Sequence, residues 1–356
     1  MATKPRLVIG RSIRILLIIF ALLGTPHLLR MIFASPALND LYPVWLGTRE
    51  LLVHHRNPYS LEMSRRIQAS FYGDPLPPGD YEDKECCFAY PVYVSFLLAP
   101  SIGSSFPKVS LAALLLLAAA TAISVVCWWA VTGHSAGYLT LAIPLVIMSP
   151  PIMQGLDLHQ LTLLVAALLS GSAVLARYGH FTLAGVALAC ATMKPQMSIL
   201  PIAWMLLWSL GHWTDRKKLI VGFAGTMALL LIAAEIALPG WIPDFLAQIQ
   251  YYRHYTGASM LDLIYGRQIG LRLTGIFVLG LLLVMWRRRT ASDFMPTLAF
   301  LLATEVFIMP GLKSLLNLSL LLPGIFIMLS KYRAFPEVPA DDAQRVWRSA
   351  HDDAVS

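Results

Sequence analysis

Apolar runs of roughly 15 to 24 residues recur from Leu16 to Leu329, and many reach the roughly 17 to 25 residues that a helix needs to cross a bilayer. A chain with this pattern has one solution for its backbone polar groups in hydrocarbon, which is to pair them within helices. Composition agrees: hydrophobic residues are 57% of the 356, charged residues 13%, and mean hydropathy is +0.65, whereas a soluble domain carries about a quarter charged residues. The sequence therefore implies an all-α polytopic membrane protein.

The net charge of +7 does not point to nucleic acid, because most basic residues stand beside apolar runs, where they set orientation. Residues 1 to 14 hold Lys4, Arg6, Arg11 and Arg14 with no acid, so the first helix, about Ile13 to Phe33, is expected to start in the cytoplasm. A cleavage site at Ser35-Pro36-Ala37 would come late and beyond Arg30, so this helix reads as retained. Of the 4 cysteines, Cys127 and Cys190 lie in apolar runs and Cys86-Cys87 are adjacent, so no disulfide framework is implied.

Between the first helix and the next apolar run lies a polar stretch, Ala34 to Ala89, which is expected to be an external loop. Asp40 to His54 reads as an amphipathic surface helix with Leu41, Trp45, Leu46, Leu51 and Leu52 on its apolar side and Trp45 and Tyr42 suited to the membrane surface. Asn57-Pro58 ends it, Leu61 to Phe71 can form a second, and the proline-rich run Asp74 to Asp80 forbids regular structure. Tyr90 to Pro107 carries three prolines and is too interrupted for a clean span. If it crossed, Arg216-Lys217-Lys218 and Arg287-Arg288-Arg289 would fall outside; if it dips in and returns, both fall inside with Arg177, Lys331 and Arg333. The second placement is preferred.

The spans are then Ser110 to Trp129, Gly137 to Ile152, His159 to Ala176, Phe181 to Met193, Met197 to Leu210, Leu219 to Leu238, Leu271 to Trp286, Asp293 to Met309 and Leu315 to Ser330. With the first helix these make ten, and the fold class expected is a bundle of about 10 to 12 transmembrane helices in a single domain, residues 1–334. A second external loop covers 239–270, and the cytoplasmic tail 335–356 is expected to be unstructured. Asp157, Lys194, Glu235, Glu305 and Lys313 all land toward the external side, where one outward-opening polar site would account for such costly ionisable groups. No inverted repeat of broken helices is visible, and no P-loop, GxGxxG, HExxH, CxxC or GxSxG motif occurs in its proper context.

Several residues carry both a bland and a chemical reading. Asp40, just beyond the first helix, is either a helix cap or a general base at the membrane surface; Asn39 could cap and leave Asp40 free. Asp157, His159 and Gln160 form a polar outer turn or a ligand contact. Lys194, beside Pro195-Gln196, either snorkels or balances a phosphate. Arg253, His254, Arg267, Arg272 and Lys313 are further candidates for phosphate contact, and Tyr251, Tyr252 and Tyr255 are an interfacial belt or a platform for a sugar ring. Asp80, Glu82, Asp83 and Glu85 read better as a solvated run than as a metal site, so no metal or other cofactor is expected.

In order along the chain, Asp40 with Tyr42, Asn57-Pro58-Tyr59, Tyr90-Pro91, His159-Gln160 and Lys194-Pro195-Gln196 resemble glycosyltransferase family 87. These are the polyprenyl-phosphate-dependent, GT-C-type bacterial mannosyltransferases that include the mycobacterial phosphatidylinositol-mannoside enzyme. The resemblance implies Asp40 as catalytic base. It also implies a donor-phosphate contact from Lys194. From the residues themselves, His159, Gln160, Arg253, His254, Arg267 and Lys313 are the other expected donor contacts, and Tyr42, Asn57, Tyr59, Tyr90, Asp157, Gln196 and Tyr255 are expected to position the acceptor or the loop. The expected partners are a polyprenyl-phosphate sugar, most often mannose, a lipid or glycan acceptor, and membrane lipids. The chain departs from the family's usual pattern at Val92, commonly Pro, and at His159 and Thr162, commonly Gly and Asn. The competing readings are a transporter or flippase of a lipid-linked sugar and a non-enzymatic scaffold.

Overall fold

A computed structural model describes residues 24–33, 38–74, 87–132, 139–255, 259–291, 294–308 and 315–329, the side chains of 132, 251–255, 315–316 and 327–329 excepted. Among them every regular element is helical. Residues 24–33 belong to the first expected helix; the acidic run from Asp80 to Glu85, Lys313 and the tail lie outside the described residues.

The loop helices are α1 (Leu41–His54) and α2 (Leu61–Tyr72). Helix α1 ends where His55 takes a left-handed conformation, and Ser60 caps α2 by accepting the Met63 N–H. Burial of α1 goes deeper than a surface stripe. Trp45 is only 5% exposed and packs on Tyr42 and Phe106, while Gly47 lies against the Phe88 ring, where a Cβ would collide. The helix is inserted in protein, so its tryptophan is core and not a membrane-surface anchor. Glu50, buried on α1, pairs with Arg56 at 3.1 Å and Arg66 at 2.8 Å and ties the two helices together.

The proline-interrupted segment makes only the five-residue α3 (Val94–Leu98) and a 3-10 turn, Ala99–Ser101, far short of a crossing. Next come α4 (Phe106–Thr132), α5 (Leu139–Ile147), α6 (Pro150–Asp157), α7 (Thr162–Arg177) and α8 (Phe181–Cys190). Helix α8 is extended by a 3-10 turn, Ala191–Met193. They are followed by α9 (Ile199–Gly211), α10 (Trp213–Ala237), α11 (Trp241–Tyr255), α12 (Met260–Tyr265), α13 (Arg267–Arg288), α14 (Phe294–Ile308) and α15 (Leu322–Leu329). Three of these, α4, α10 and α13, are long and apolar enough to cross a membrane, and the α5–α6 pair, bent by 58° at its break, makes a fourth if counted as one span. The apolar helices α7, α9 and α14 coincide with expected spans but are shorter.

Side-chain contacts fix how the helices run. Ser110 meets His159 and Ser124 meets Ser170, so α4 and α7 run the same way. Ser172 reaches the Ala184 carbonyl and Lys194 reaches Thr162, so α8 returns antiparallel and ends where α7 begins. Helix α8 crosses α10 at Gly185 and Gly222, each pressed against the other helix's backbone, an approach only small residues permit. At the far end Trp208 packs on Phe294, Arg216 stacks on Trp208, and Gly211 abuts Arg289. The two basic clusters therefore share one end of the bundle, opposite the loop helices. The exposed faces of α10 and α13 are apolar, with Ile236 78% and Ile276 68% exposed. Water would penalise such surface, whereas lipid solvates it.

Candidate active site

The site forms where α1 begins, α7 begins and α8 ends. Asn39 is buried and does the local capping: its Oδ1 accepts the Leu41 N–H at 3.1 Å, and its Nδ2 donates to Ser110 Oγ at 3.2 Å. Asp40, at the cap position itself, makes no capping hydrogen bond. Its carboxylate is left to face outward.

Asp40 is exposed, yet the surrounding protein removes enough water to raise its carboxyl above the ordinary carboxylate range. Desolvation is the largest cause; the Gln160 hydrogen bond, Lys194 and His159 oppose it. Gln160 Nε2 donates to Asp40 Oδ2, and Gln160 Oε1 accepts from Lys194 Nζ at 2.8 Å. Lys194 Nζ also donates to Thr162 Oγ1 at 2.7 Å. Lys194, in the break after α8 and outside both flanking apolar helices, is only 8% exposed; burial pushes its ammonium down to about 8 against the pull of Asp40.

His159 takes a left-handed φ of 53°, a conformation open to glycine and costing another residue about 1 kcal/mol. It is clamped there. Nε2 lies 3.0 Å from both Ser110 Oγ and the Ser110 carbonyl, and Nδ1 lies 3.1 Å from the Asp157 carbonyl. The turn is closed by Gln160 N–H donating to the Gly155 carbonyl at 2.8 Å, which aims the Gln160 side chain at Asp40. Two polar chains thus converge on α1, one through Asn39 and Ser110 to His159, the other through Gln160 to Lys194.

Of the residues singled out from sequence, the structure brings Asp40, Gln160 and Lys194 together, with His159 beside them. Tyr42, Asn57, Tyr59 and Tyr90 form a separate brace. Tyr42 donates to Ser70 at 2.9 Å; Tyr59 donates to the Tyr90 carbonyl at 2.6 Å and packs on Phe88 and Phe245; Asn57 donates to Asp244 of α11 at 2.7 Å. Asp157 is exposed and takes part through its carbonyl, while Gln196 sits half-buried in a 3-10 turn. Arg267 and Arg272 are exposed on the first turns of α13. Arg253, His254 and Tyr255 fall on the last turn of α11, and their side chains, like Lys313, lie outside the described residues.

One site does not gather all the expected ionisable groups. Glu235 is exposed and accepts the Gly240 N–H at 2.8 Å, and Glu305 is buried with Oε1 3.4 Å from the Leu200 N–H at the start of α9. Both serve backbone groups at helix ends. Sequence reasoning missed Ser110, which looked like the first residue of an apolar span, and left Thr162 without a role although it stood in a quoted motif. It also missed Asp244, because nothing local marks a residue 187 positions from its partner.

Among the described residues no group of three or more His, Cys, Asp or Glu could hold a metal ion. The glycosyltransferase family 87 profile matches residues 88–316, and the chain belongs to that family. Membership is consistent with the expected GT-C-type fold. Comparison with curated proteins gives no match, and comparison with solved structures gives none either.

Proposed function

We propose that this glycosyltransferase is an inverting enzyme that moves a sugar, most consistent with mannose, from a polyprenyl-phosphate donor to a lipid or glycan acceptor on the extracytoplasmic side of the cell membrane. The observation that carries the reading is the Asp40 carboxylate: it caps no helix, it is exposed, and a buried ammonium stands two hydrogen bonds behind it.

In the proposed step the acceptor's O–H proton passes to Asp40 as the acceptor oxygen bonds to the anomeric carbon. The bond from that carbon to the phosphate oxygen breaks, and its electron pair leaves with polyprenyl phosphate. The leaving group is already an anion, so no second carboxylic acid is needed, unlike the paired carboxylates of glycoside hydrolases. The proton on Asp40 then returns to water. Outward placement of the site rests on the positive clusters at the opposite end of the bundle.

The test is incubation of the purified protein in vesicles with a panel of radiolabelled polyprenyl-phospho-sugars and native lipid extract, with identification of the labelled product. Asp40→Asn should keep folding and donor binding but abolish transfer. Retained turnover would remove Asp40 from the chemistry, and movement of donor across the bilayer without a new glycosidic bond would favour a flippase.

A further inference from the structure

A lysine beside a proposed phosphate-leaving reaction invites the reading that it binds the phosphate. The geometry says otherwise. An ammonium has hydrogens to donate and no lone pair to accept with. The Gln160 atom 2.8 Å from Lys194 Nζ must therefore be the carbonyl oxygen, and this fixes the amide so that its NH2 points at Asp40. The usual ambiguity of an amide side chain is removed by its neighbour. Two of the three Lys194 N–H donors are taken by Gln160 and Thr162 and the residue is only 8% exposed, so a phosphate would have to enter buried protein to meet the third. Were a phosphate to displace Gln160 from the ammonium, the amide would be free to turn.

We infer that Gln160 is a positioning residue for the Asp40 carboxylate and that Lys194 acts on the base through Gln160, not on the donor phosphate. The Gln160 NH2 occupies Asp40 Oδ2, which leaves Oδ1 as the oxygen that receives the acceptor's proton. The same bond stops the carboxylate from rotating and favours its ionised form, which is the form a base needs. Among the described residues, the titratable groups that act on Asp40 are Lys194, from the break after α8, and His159, from the turn before α7. Ser110 and Asn39 are the neutral partners on the other side. This inference rests on the proposed role of Asp40 as base.

The test uses three variants of the full-length protein in vesicles, Gln160→Leu, Lys194→Met and Gln160→Glu. With polyprenyl-phospho-mannose as donor, the first two should move the acidic limb of the kcat profile up by about one pH unit, lower kcat, and leave donor KM within about twofold. Their double variant should cost little more than either alone, because both break one chain. Gln160→Glu, of the same shape, sets a carboxylate against Asp40 and should push the limb higher still. A Lys194→Met protein whose donor KM rises tenfold or more with an unmoved pH limb overturns the inference and returns Lys194 to the phosphate. A second readout does not need turnover: carbodiimide labelling of Asp40 against pH, followed by mass spectrometry, should show the same upward move in both variants. Labelling that shifts in a protein with no transferase activity would keep the positioning role and sink the proposed reaction. Labelling that does not shift would sink the positioning role alone.

Discussion

Replacing Asn39 with alanine tests whether the aim of Asp40 is built by its neighbour. Asn39 is 7% exposed, so its hydrogen bonds take little discount for solvent. The change removes the acceptor for the Leu41 N–H, worth about 1 kcal/mol for a helix cap, and the bond to Ser110, worth about 1 kcal/mol more. About 2 kcal/mol of local order corresponds to about a 30-fold shift between an aligned and a misaligned α1 start. That is an upper limit on the effect, because part of the loss falls on both arrangements. The expected outcome is a fall in kcat of about 5- to 30-fold with donor KM within about twofold, measured as initial rates of transfer in vesicles. Asn39→Asp is the informative companion: it keeps the capping acceptor but loses the donor to Ser110 and places a second negative charge beside Asp40. Wild-type kcat in Asn39→Ala would refute the reasoning, since Asp40 would then be held by something other than this cap.

The pH dependence of kcat should be bell-shaped. Asp40 must be ionised to act, and burial raises its pKa, so the rate should climb with pH through a midpoint above the ordinary carboxylate value; it should fall above about 8 as Lys194 loses its proton and its grip on Gln160. A profile flat from about pH 4 to pH 9 would contradict this. At the α8–α10 crossing, Gly185→Ala should destabilise the protein by about 1 to 3 kcal/mol, because the added methyl meets backbone of Leu219 and Phe223 that cannot swing aside. Gly225→Ala, on the same α10 with open space around it, is the control; thermal unfolding in detergent should separate the two, and equal melting points would show that the close approach is not needed.

The loop helices were legible because their boundaries are chemical. Helix α1 ends at His55, just ahead of Asn57-Pro58, Ser60 starts α2, and the prolines from Tyr90 to Pro107 prevent a span whatever surrounds them. The depth of α1 was not legible. Its leucines and tryptophan fit a surface stripe, and only the packing of Gly47 on Phe88 and Trp45 on Phe106 shows that both sides are covered. Helix α10 begins before the expected Leu219 because Arg216, Lys217 and Lys218 extend a helix as readily as apolar residues do, and hydropathy does not register them.

By itself the sequence determined the helical class, the end of the bundle that carries the basic clusters, and the residue types from which a site could be assembled. These follow from the cost of unpaired backbone in lipid and from charge beside apolar runs, both of which act over short stretches of chain. Tertiary structure decided which ionisable groups meet. Lys194 turns to Gln160 and Asp40 while Glu235 and Glu305 turn to backbone N–H groups, because a hydrogen bond depends on a separation of about 3 Å in space and not on distance along the chain.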